Sequence, residues 1–536
     1  MNGAVCEQTM TGADGSGRGP VTITTAQTRV TSGIEVHQKL MTAALALGNI
    51  LRSTFGPRGL DKMMYKSNGT TAVTNDGARI IADLLVKHPA AKAFVSLGES
   101  QESSCGDGVT GCILLASELM RESGRLLQRG LHPLIIIEGW RQALDVALEV
   151  IDEHSLPMDD ESMLMVAETA LVGKVAETSS DHLAGLVVDA INTIHPEPDS
   201  NVGAEDVMMV KAGKGTISDS RMVKGVILMK RTANEKVPRS VHSVRIALLT
   251  CPLEFEKTKR DSEIEISDPE QMRAFIEAGR RQLETMTKGI LATGCNAVLT
   301  TGQVDPQILH SLTDKGVFVL GGVDESDMEN TSRATGGNLV DLVRNIGESD
   351  LGQAEHLQVE NQEGADGTEE RVIIDGCGDP GLVTLEIGGA NDIGCEEVIR
   401  SLHDSLRATT LARKEGEIIP GGGHIHCKSA LRIRTIAEGL PGRERLAMES
   451  FARALESIPF TLATNAGKEG LDSILDLRAA LRNEPEANMG IRLDGEVGDV
   501  SEVMLPSASL ANAFIGAFET AGSLLRVDQV ISARGD

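Results

Sequence analysis

Aromatic residues are almost missing from this chain. They make up 2% of 536 residues, with one Trp and one Tyr. Core volume must therefore come from Leu, Ile, Val, Met and Ala. Positive charge is also scarce, since 51 Lys and Arg face 78 Asp and Glu for a formal net charge of −27. That balance speaks against nucleic acid and anionic membranes as partners, because both present negative surfaces. Long apolar runs are lacking too. The stretch Leu134 to Ile137 falls far below the ~20 residues a membrane-spanning helix needs. No apolar N-terminal segment reads as a signal peptide. None of the eight Cys forms a C-x-x-C pair, so neither a zinc site nor a redox motif is indicated. Scattered thiols fit a reducing compartment, and a cytoplasmic protein is expected. No G-x-x-x-x-G-K-[ST] occurs, which excludes a P-loop enzyme in its usual form. Gly213-Lys214-Gly215-Thr216 mimics only part of one. No short-period repeat points to a solenoid or a propeller.

What is present is enough for several domains at about 150 residues each. Residues 1–30, with Gly12 to Pro20 at their centre, read as a flexible tail. A helix is expected from Ile34, with Leu40, Ala44, Leu47 and Leu51 on one face and Gly56-Pro57 as its stop. A β-like run, Thr70 to Thr74, leads into the turn Asn75-Asp76-Gly77. Helices are expected over Ala78 to Leu85, Ala90 to Gln101, Gly111 to Leu127, and from Pro133 toward Val150. From about residue 210 the texture changes. Arg245 to Thr250, Ala297 to Thr301 and Val317 to Leu320 are aliphatic runs separated by helical stretches, as in an α/β unit. Asp268-Pro269-Glu270-Gln271 has the make-up of a strong helix start. Residues 357–370 read as a polar, acidic loop. After about 400 helices return, broken by Pro420 to Gly423. The order helical, mixed, α/β, mixed, helical suggests one domain inserted within another.

Three Asp-bearing segments could carry chemistry: Thr74 to Gly77, Gly106-Asp107-Gly108, and Leu402-His403-Asp404-Ser405-Leu406. Glycines flanking Asp107 free the backbone to turn main-chain N–H groups toward an anion at the start of a helix. A carboxylate beside phosphate needs a cation between them, and Mg²⁺ fills that place. Taken singly, the first two are ordinary turns and Asp404 is a solvated helix carboxylate. Their number changes the balance, together with the Gly-rich turn Thr54 to Gly59 and the side-chain-free turn Gly421-Gly422-Gly423. His424, His426 and Cys427 could suggest a metal, but spacing of two after a glycine turn reads more simply as a strand.

The chain resembles the group II chaperonins, the family of the archaeal thermosome and the eukaryotic cytosolic ring chaperonin. The resemblance rests on GPRGLDKMM (Gly56 to Met64), TNDGARI (Thr74 to Ile80), HPAAK (His88 to Lys92), GDGVT (Gly106 to Thr110) and GLHPLIIIEGW (Gly130 to Trp140). It continues with Pro252 to Met272, RATGG (Arg333 to Gly337), LHDSL (Leu402 to Leu406), PGGG (Pro420 to Gly423) and LLRVDQVI (Leu524 to Ile531). These occur in family order over roughly residues 30–535.

The resemblance implies a multidomain α plus α/β chaperonin fold. A helical equatorial ATPase domain would comprise 31–163 and 418–536. A small α/β intermediate hinge domain would comprise 164–228 and 383–417. An apical α/β substrate-binding domain, 229–382, would carry a helical lid protrusion at about 252–290. It further implies ATP and Mg²⁺ as cofactors, non-native proteins as clients, and identical or paralogous subunits in a double ring. Asp107 resembles the Mg²⁺ ligand, Asp76 the carboxylate near the γ-phosphate, and Asp404 the residue that orients the attacking water; Asp76 and Asp404 are the catalytic pair. Lys174 resembles the γ-phosphate sensor. Thr54, Phe55, Gly56, Pro57, Asn75, Gly106, Gly108, Val109, Thr110, Gly111, Gly421, Gly422 and Gly423 would line the nucleotide. Met272, Phe275, Ile276, Leu283 and Met286 would divide between core and client. Val109 and Gly111 stand where the family carries hydroxyls, and Leu505 stands where it carries an acid. Those departures support an alternative, a ring subunit or holdase with weak or no ATPase activity.

Overall fold

The computed structural model describes residues 29–32, 34–65, 71–84, 86, 88–174, 177–194, 203–213, 215–233, 236–255, 269–364, 367–378, 380–389 and 392–532. The tail before residue 29 and the charged stretch 256–268, with Asp268, lie outside them. The chain opens with strand β1 (Arg29–Ser32) and helix α1 (Ile34–Arg52), then the hairpin β2 (Lys62–Tyr65) and β3 (Thr71–Thr74). Helices α2 (Gly77–Asp83), α3 (Pro89–Cys105), α4 (Val109–Gln128) and α5 (Pro133–His154) follow. Their starts are local in origin. His88 and His132 each cap a helix by accepting a backbone N–H, and each precedes a Pro in the first turn, where the missing N–H costs nothing.

A mixed stretch comes next: β4 (Leu156–Pro157), α6 (Asp160–Leu171), α7 (Glu177–Ile194), β5 (Val207–Lys211), β6 (Arg221–Val223) and β7 (Val226–Leu228). The α/β stretch then holds β8 (Ser240–Leu249), α8 (Pro269–Ala292), β9 (Ala297–Thr300), α9 (Pro306–Thr313), β10 (Phe318–Leu320), α10 (Glu325–Thr335), β11 (Leu339–Val340), β12 (Gly352–Gly364) and β13 (Gly367–Asp375). The way back runs through β14 (Val383–Ile387), α11 (Asp392–Glu415) and β15 (Glu417–Pro420). It continues with α12 (His424–Glu438), α13 (Glu444–Asn465), α14 (Gly470–Asn483), β16 (Met489–Ile491), β17 (Val497–Asp499), β18 (Met504–Pro506), α15 (Ser507–Leu525) and β19 (Gln529–Ser532). Antiparallel pairing of β1 with β19 joins the two ends.

Three main cores divide the chain. One gathers buried residues from Val36 to Ile151 and from Ile419 to Leu525, around Trp140, Phe94, Phe451 and Phe514. A second joins Met163 to Val207 with Val383 to Leu406. The third lies wholly within Val226 to Leu382, around the sheet ordered β10-β9-β8-β12-β13-β7 with β11 paired to β8. On α8, Leu283 is buried and Met286 packs beside the third core, while Phe275 and Ile276 are exposed. The Phe275 ring meets Phe255 edge-on, with centroids 5.5 Å apart.

Two expectations are corrected. Residues 357–370 are not a loop: within the described residues they form the arms of the β12–β13 hairpin, from Leu357↔Ile374 to Gly364↔Gly367. Their charge masked an alternation in which Leu357 and Val359 are buried, and that period of two is the strand signal. His424 and His426 lie on no strand but open α12. Buried Cys427, Ala430, Ile433 and Ala437 recur at helical spacing, and that pattern outweighs the two histidines.

Candidate functional site

The site begins where α1 ends. Asn465, on α13, donates to the carbonyls of both Arg52 and Phe55 at 2.8 Å, which holds the turn after α1 against α13. The Thr54 hydroxyl turns back to the Leu51 carbonyl at 2.8 Å. Gly56 has φ +82°, and a Cβ there would strike Leu462 of the same α13. The Phe55 ring reaches α4: a Cβ on Gly111 would stand 3.3 Å from its Cε2.

Asp76 caps α2, accepting from the N–H groups of Ala78 at 2.9 Å and Arg79 at 3.3 Å. Its own N–H goes to the Thr74 hydroxyl at 3.1 Å, which donates to Glu397 of α11 at 3.1 Å. Gly77 has no room for a side chain, because the Thr110 hydroxyl lies where a Cβ would be. The starts of α2 and α4 are thereby pressed together. Between α3 and α4, Gly106 and Gly108 take φ +71° and +86°, left-handed conformations that favour glycine. The Asp107 carbonyl accepts from Gln101 Nε2 at 3.1 Å and Ser509 Oγ at 3.4 Å. These bonds fix the main chain of the turn, while the half-buried Asp107 carboxylate faces Lys174. Gly108 offers no side-chain cap to α4, so the first N–H groups of that helix are available to an anion.

Lys174 follows α6. Gly173 lies against the main chain of Pro57, and its carbonyl accepts from Asn75 Nδ2 at 3.2 Å. From there Lys174 Nζ donates to Asp404 Oδ2 at 2.7 Å and stands 3.6 Å from Asp107 Oδ1. Asp404 is not the solvated helix carboxylate that its motif alone would suggest. It is 8% exposed, on the inner face of α11.

The electrostatics follow from this crowding. Burial pushes the Asp404 carboxyl up to about 6, against the pull of Lys174 and with the help of Asp107 and Asp76. Burial alone would lower Lys174, yet Asp404, Asp107 and Asp76 together carry it well above the ordinary lysine range. Sequence reasoning missed Glu102, on the last turn of α3. Burial first, then Asp404 and Asp76, raise its carboxyl to about 7, while Arg407 pulls it down. It also missed Glu397, which burial raises. Glu397 stands two helical turns before Asp404 on α11, a spacing that could have revealed it. Glu102 carries no such signal.

The glycine turn 421–423 rests on other neighbours. Gly421 donates to the Val503 carbonyl at 2.7 Å, and the Gly422 carbonyl accepts from Ile491 at 2.8 Å. A Cβ on Gly423 would strike Pro459 of α13, the helix that also holds the Gly56 turn. Val109 is buried in the core. Chemically, the Asp107 carboxylate is a donor that suits a hard cation, and the first N–H groups of α4 suit an anion.

Over residues 47–535 the sequence matches the TCP-1/cpn60 chaperonin family. It is 36% identical over 510 residues to a thermosome subunit of Methanopyrus kandleri, covering 94% of this chain and 93% of that protein. A thermosome subunit beta of Methanothermobacter thermautotrophicus is 36% identical over 521 residues, 96% of this chain and 95% of that protein. A thermosome subunit alpha of Archaeoglobus fulgidus is 34% identical over 524 residues, again 96% and 95%.

Proposed function

Because the chain belongs to the TCP-1/cpn60 chaperonin family, we propose that it is an ATP-hydrolysing ring subunit that encloses non-native proteins and assists their folding. The observation that carries this reading is the single ammonium of Lys174 set between Asp404 and Asp107. Phosphoryl transfer asks for an oriented water, an aligned leaving group and neutralised charge. Asp107 would hold Mg²⁺, which supplies that neutralisation when bound. The first N–H groups of α4 and the Thr54 to Pro57 turn would receive the nucleotide, with Asn75, Gly106, Gly108 and Thr110 beside them. Asp404 would accept hydrogen bonds from the attacking water, with Asp76 near the terminal phosphate. Lys174 would exchange a carboxylate for that phosphate.

The three cores support an equatorial assignment for 31–163 and 418–536, an intermediate one for 164–228 and 383–417, and an apical one for 229–382. Asp404 then sits on the hinge domain and Asp107 on the ATPase domain, so hydrolysis would wait for closure. Exposed Phe275 and Ile276 suit a surface for unfolded chains. Closed heterologous contacts between identical or paralogous subunits would build the double ring.

A second reading, a ring subunit or holdase with little ATPase activity, draws on Val109, buried in the core, and on Gly111 under the Phe55 ring. Neither offers a hydroxyl to phosphate. Mg²⁺-dependent ATP hydrolysis by purified rings, with and without Asp404→Ala, separates the two. Hydrolysis that the substitution abolishes is the expected result. Equal rates in both proteins would end the proposed mechanism, and no binding at millimolar ATP would favour the second reading.

A further inference from the structure

Asp404 is not the only residue of α11 that reaches the nucleotide turn. Arg407 lies one helical turn further along, on the same side. Its stem crosses Gly106: a Cβ on that glycine would strike the Arg407 Cβ and stand 2.7 Å from its Cδ and 3.0 Å from its Cγ. Its Nη1 then donates to Glu102 Oε1 of α3 at 3.0 Å. Glu102 sits four residues before Gly106, whose N–H closes α3 on the Glu102 carbonyl at 2.9 Å. Ion pair and glycine turn therefore share one anchor.

We propose that Glu102 and Arg407 form a latch that clamps α11 onto the Gly106-Asp107-Gly108 turn and so positions Asp404 over Asp107. This rests on the ATPase reading for its consequence, but not for its existence. Lys174 joins Asp404 to Asp107 from a loop of its own, Thr74 reaches α11 at Glu397 and Ser405 ties it to α6, but none of these bonds holds α11 against the Gly106 turn itself. The Arg407 bond to α3, one turn beyond Asp404, supplies that missing tie. Glycine at 106 is what lets the arginine stem lie flat on the turn. Arg407 is a positioning residue here, acting on the chemistry through Asp404. Its side chain is 44% exposed and that of Glu102 31%, so the pair can open when the turn moves.

The test uses full-length rings carrying Arg407→Met, Arg407→Lys, Glu102→Gln and the double change Glu102→Gln with Arg407→Met. Removing a tie of this exposure should lower kcat for ATP about fivefold and leave KM within about twofold. The double variant should be no slower than either single one, since both remove the same bond. Arg407→Lys should recover most of the rate. A rise in KM at constant kcat, additive losses, or no change would overturn the latch. Hydrogen exchange of residues 402–411 without nucleotide gives a readout that needs no hydrolysis. Glu102→Gln and Arg407→Met should each speed it about fivefold. If wild-type rings hydrolyse no ATP, the ATPase reading fails while exchange still decides the latch. Unchanged exchange in both variants would sink it.

Discussion

Lys174 and Asp404 meet at 2.7 Å although 230 residues separate them, and both side chains are largely buried. The two ends of this bond are not equivalent. Lys174 also serves Asp107 and feels Asp76, whereas Asp404 has those carboxylates as adversaries. Lys174→Met leaves three acidic groups facing one another with no cation among them. Asp404→Asn keeps a polar partner for Lys174 and removes a repulsion. Lys174→Met is therefore expected to cost about 3 kcal/mol of stability, and Asp404→Asn about 1 kcal/mol. Urea midpoints of the two variants test the order. Asp404→Asn proving the more damaging would mean that Lys174 does not neutralise the cluster.

Gly77 and Thr110 provide a steric counterpart. A methyl on Gly77 would meet the Thr110 hydroxyl, with the Thr110 Cβ 3.2 Å away and its Cα 3.3 Å away. Gly77 lies within α2 and does not take a left-handed backbone, so this contact is what a methyl group there would strain. Gly77→Ala should thus destabilise by about 2 kcal/mol through overpacking, despite alanine's higher helix propensity. Adding Thr110→Ala removes the hydroxyl and should return about half of the loss. A stabilised Gly77→Ala single variant would show that the contact has slack. Thermal unfolding of both proteins decides it.

Much of this architecture was legible, and the physical reason differs from element to element. Strands β9 and β10 and the second half of β8, Ile246 to Leu249, are buried on both faces, so each reads as a mostly aliphatic run. The turns holding Asp76 and Asp107 announce themselves by glycine, because left-handed backbone or a close approach demands it. The β12–β13 hairpin did not, since polar Gln358, Glu360 and Asn361 surround buried Leu357 and Val359 and make them read as part of a polar run. His424 and His426 drew notice as chemistry and concealed the start of a helix. Partners across the fold left no trace at all. Asn465 holds the Phe55 turn and Glu102 faces Arg407 only because α13 and α11 return to α1 and α3 from hundreds of residues away.

The single Trp offers a direct view of the helical core. Trp140 is fully buried and donates through Nε1 to the Ser450 hydroxyl at 2.9 Å, which in turn donates to the Ala447 carbonyl at 2.6 Å. Ser450→Ala leaves the indole N–H without an acceptor in an apolar surround. The expected cost is about 2 kcal/mol, with a lowered unfolding midpoint followed by indole fluorescence. A cost below about 0.5 kcal/mol would mean that the indole finds another acceptor.

Acid sensitivity should be concentrated at Glu456. This carboxylate is 5% exposed and accepts from Arg434 and from Arg478, the latter through Nε at 2.6 Å. Burial alone would raise its pKa, but the two guanidinium groups outweigh burial and hold it below the ordinary glutamate value of 4.5. A folded-state pKa below the unfolded one means that the unfolded chain binds the proton more readily. The stabilisation is then complete above 4.5 and is lost as pH falls through the lower, folded-state pKa. Glu456→Gln cannot take up that proton, so its denaturation midpoint should fall less steeply between about pH 5 and pH 3, although it starts lower at neutral pH. Arg478→Met keeps the carboxylate with only one guanidinium and should give an intermediate slope. Urea titrations across that range measure all three proteins, and parallel pH profiles for wild type and Glu456→Gln would show that this carboxylate carries none of the acid response.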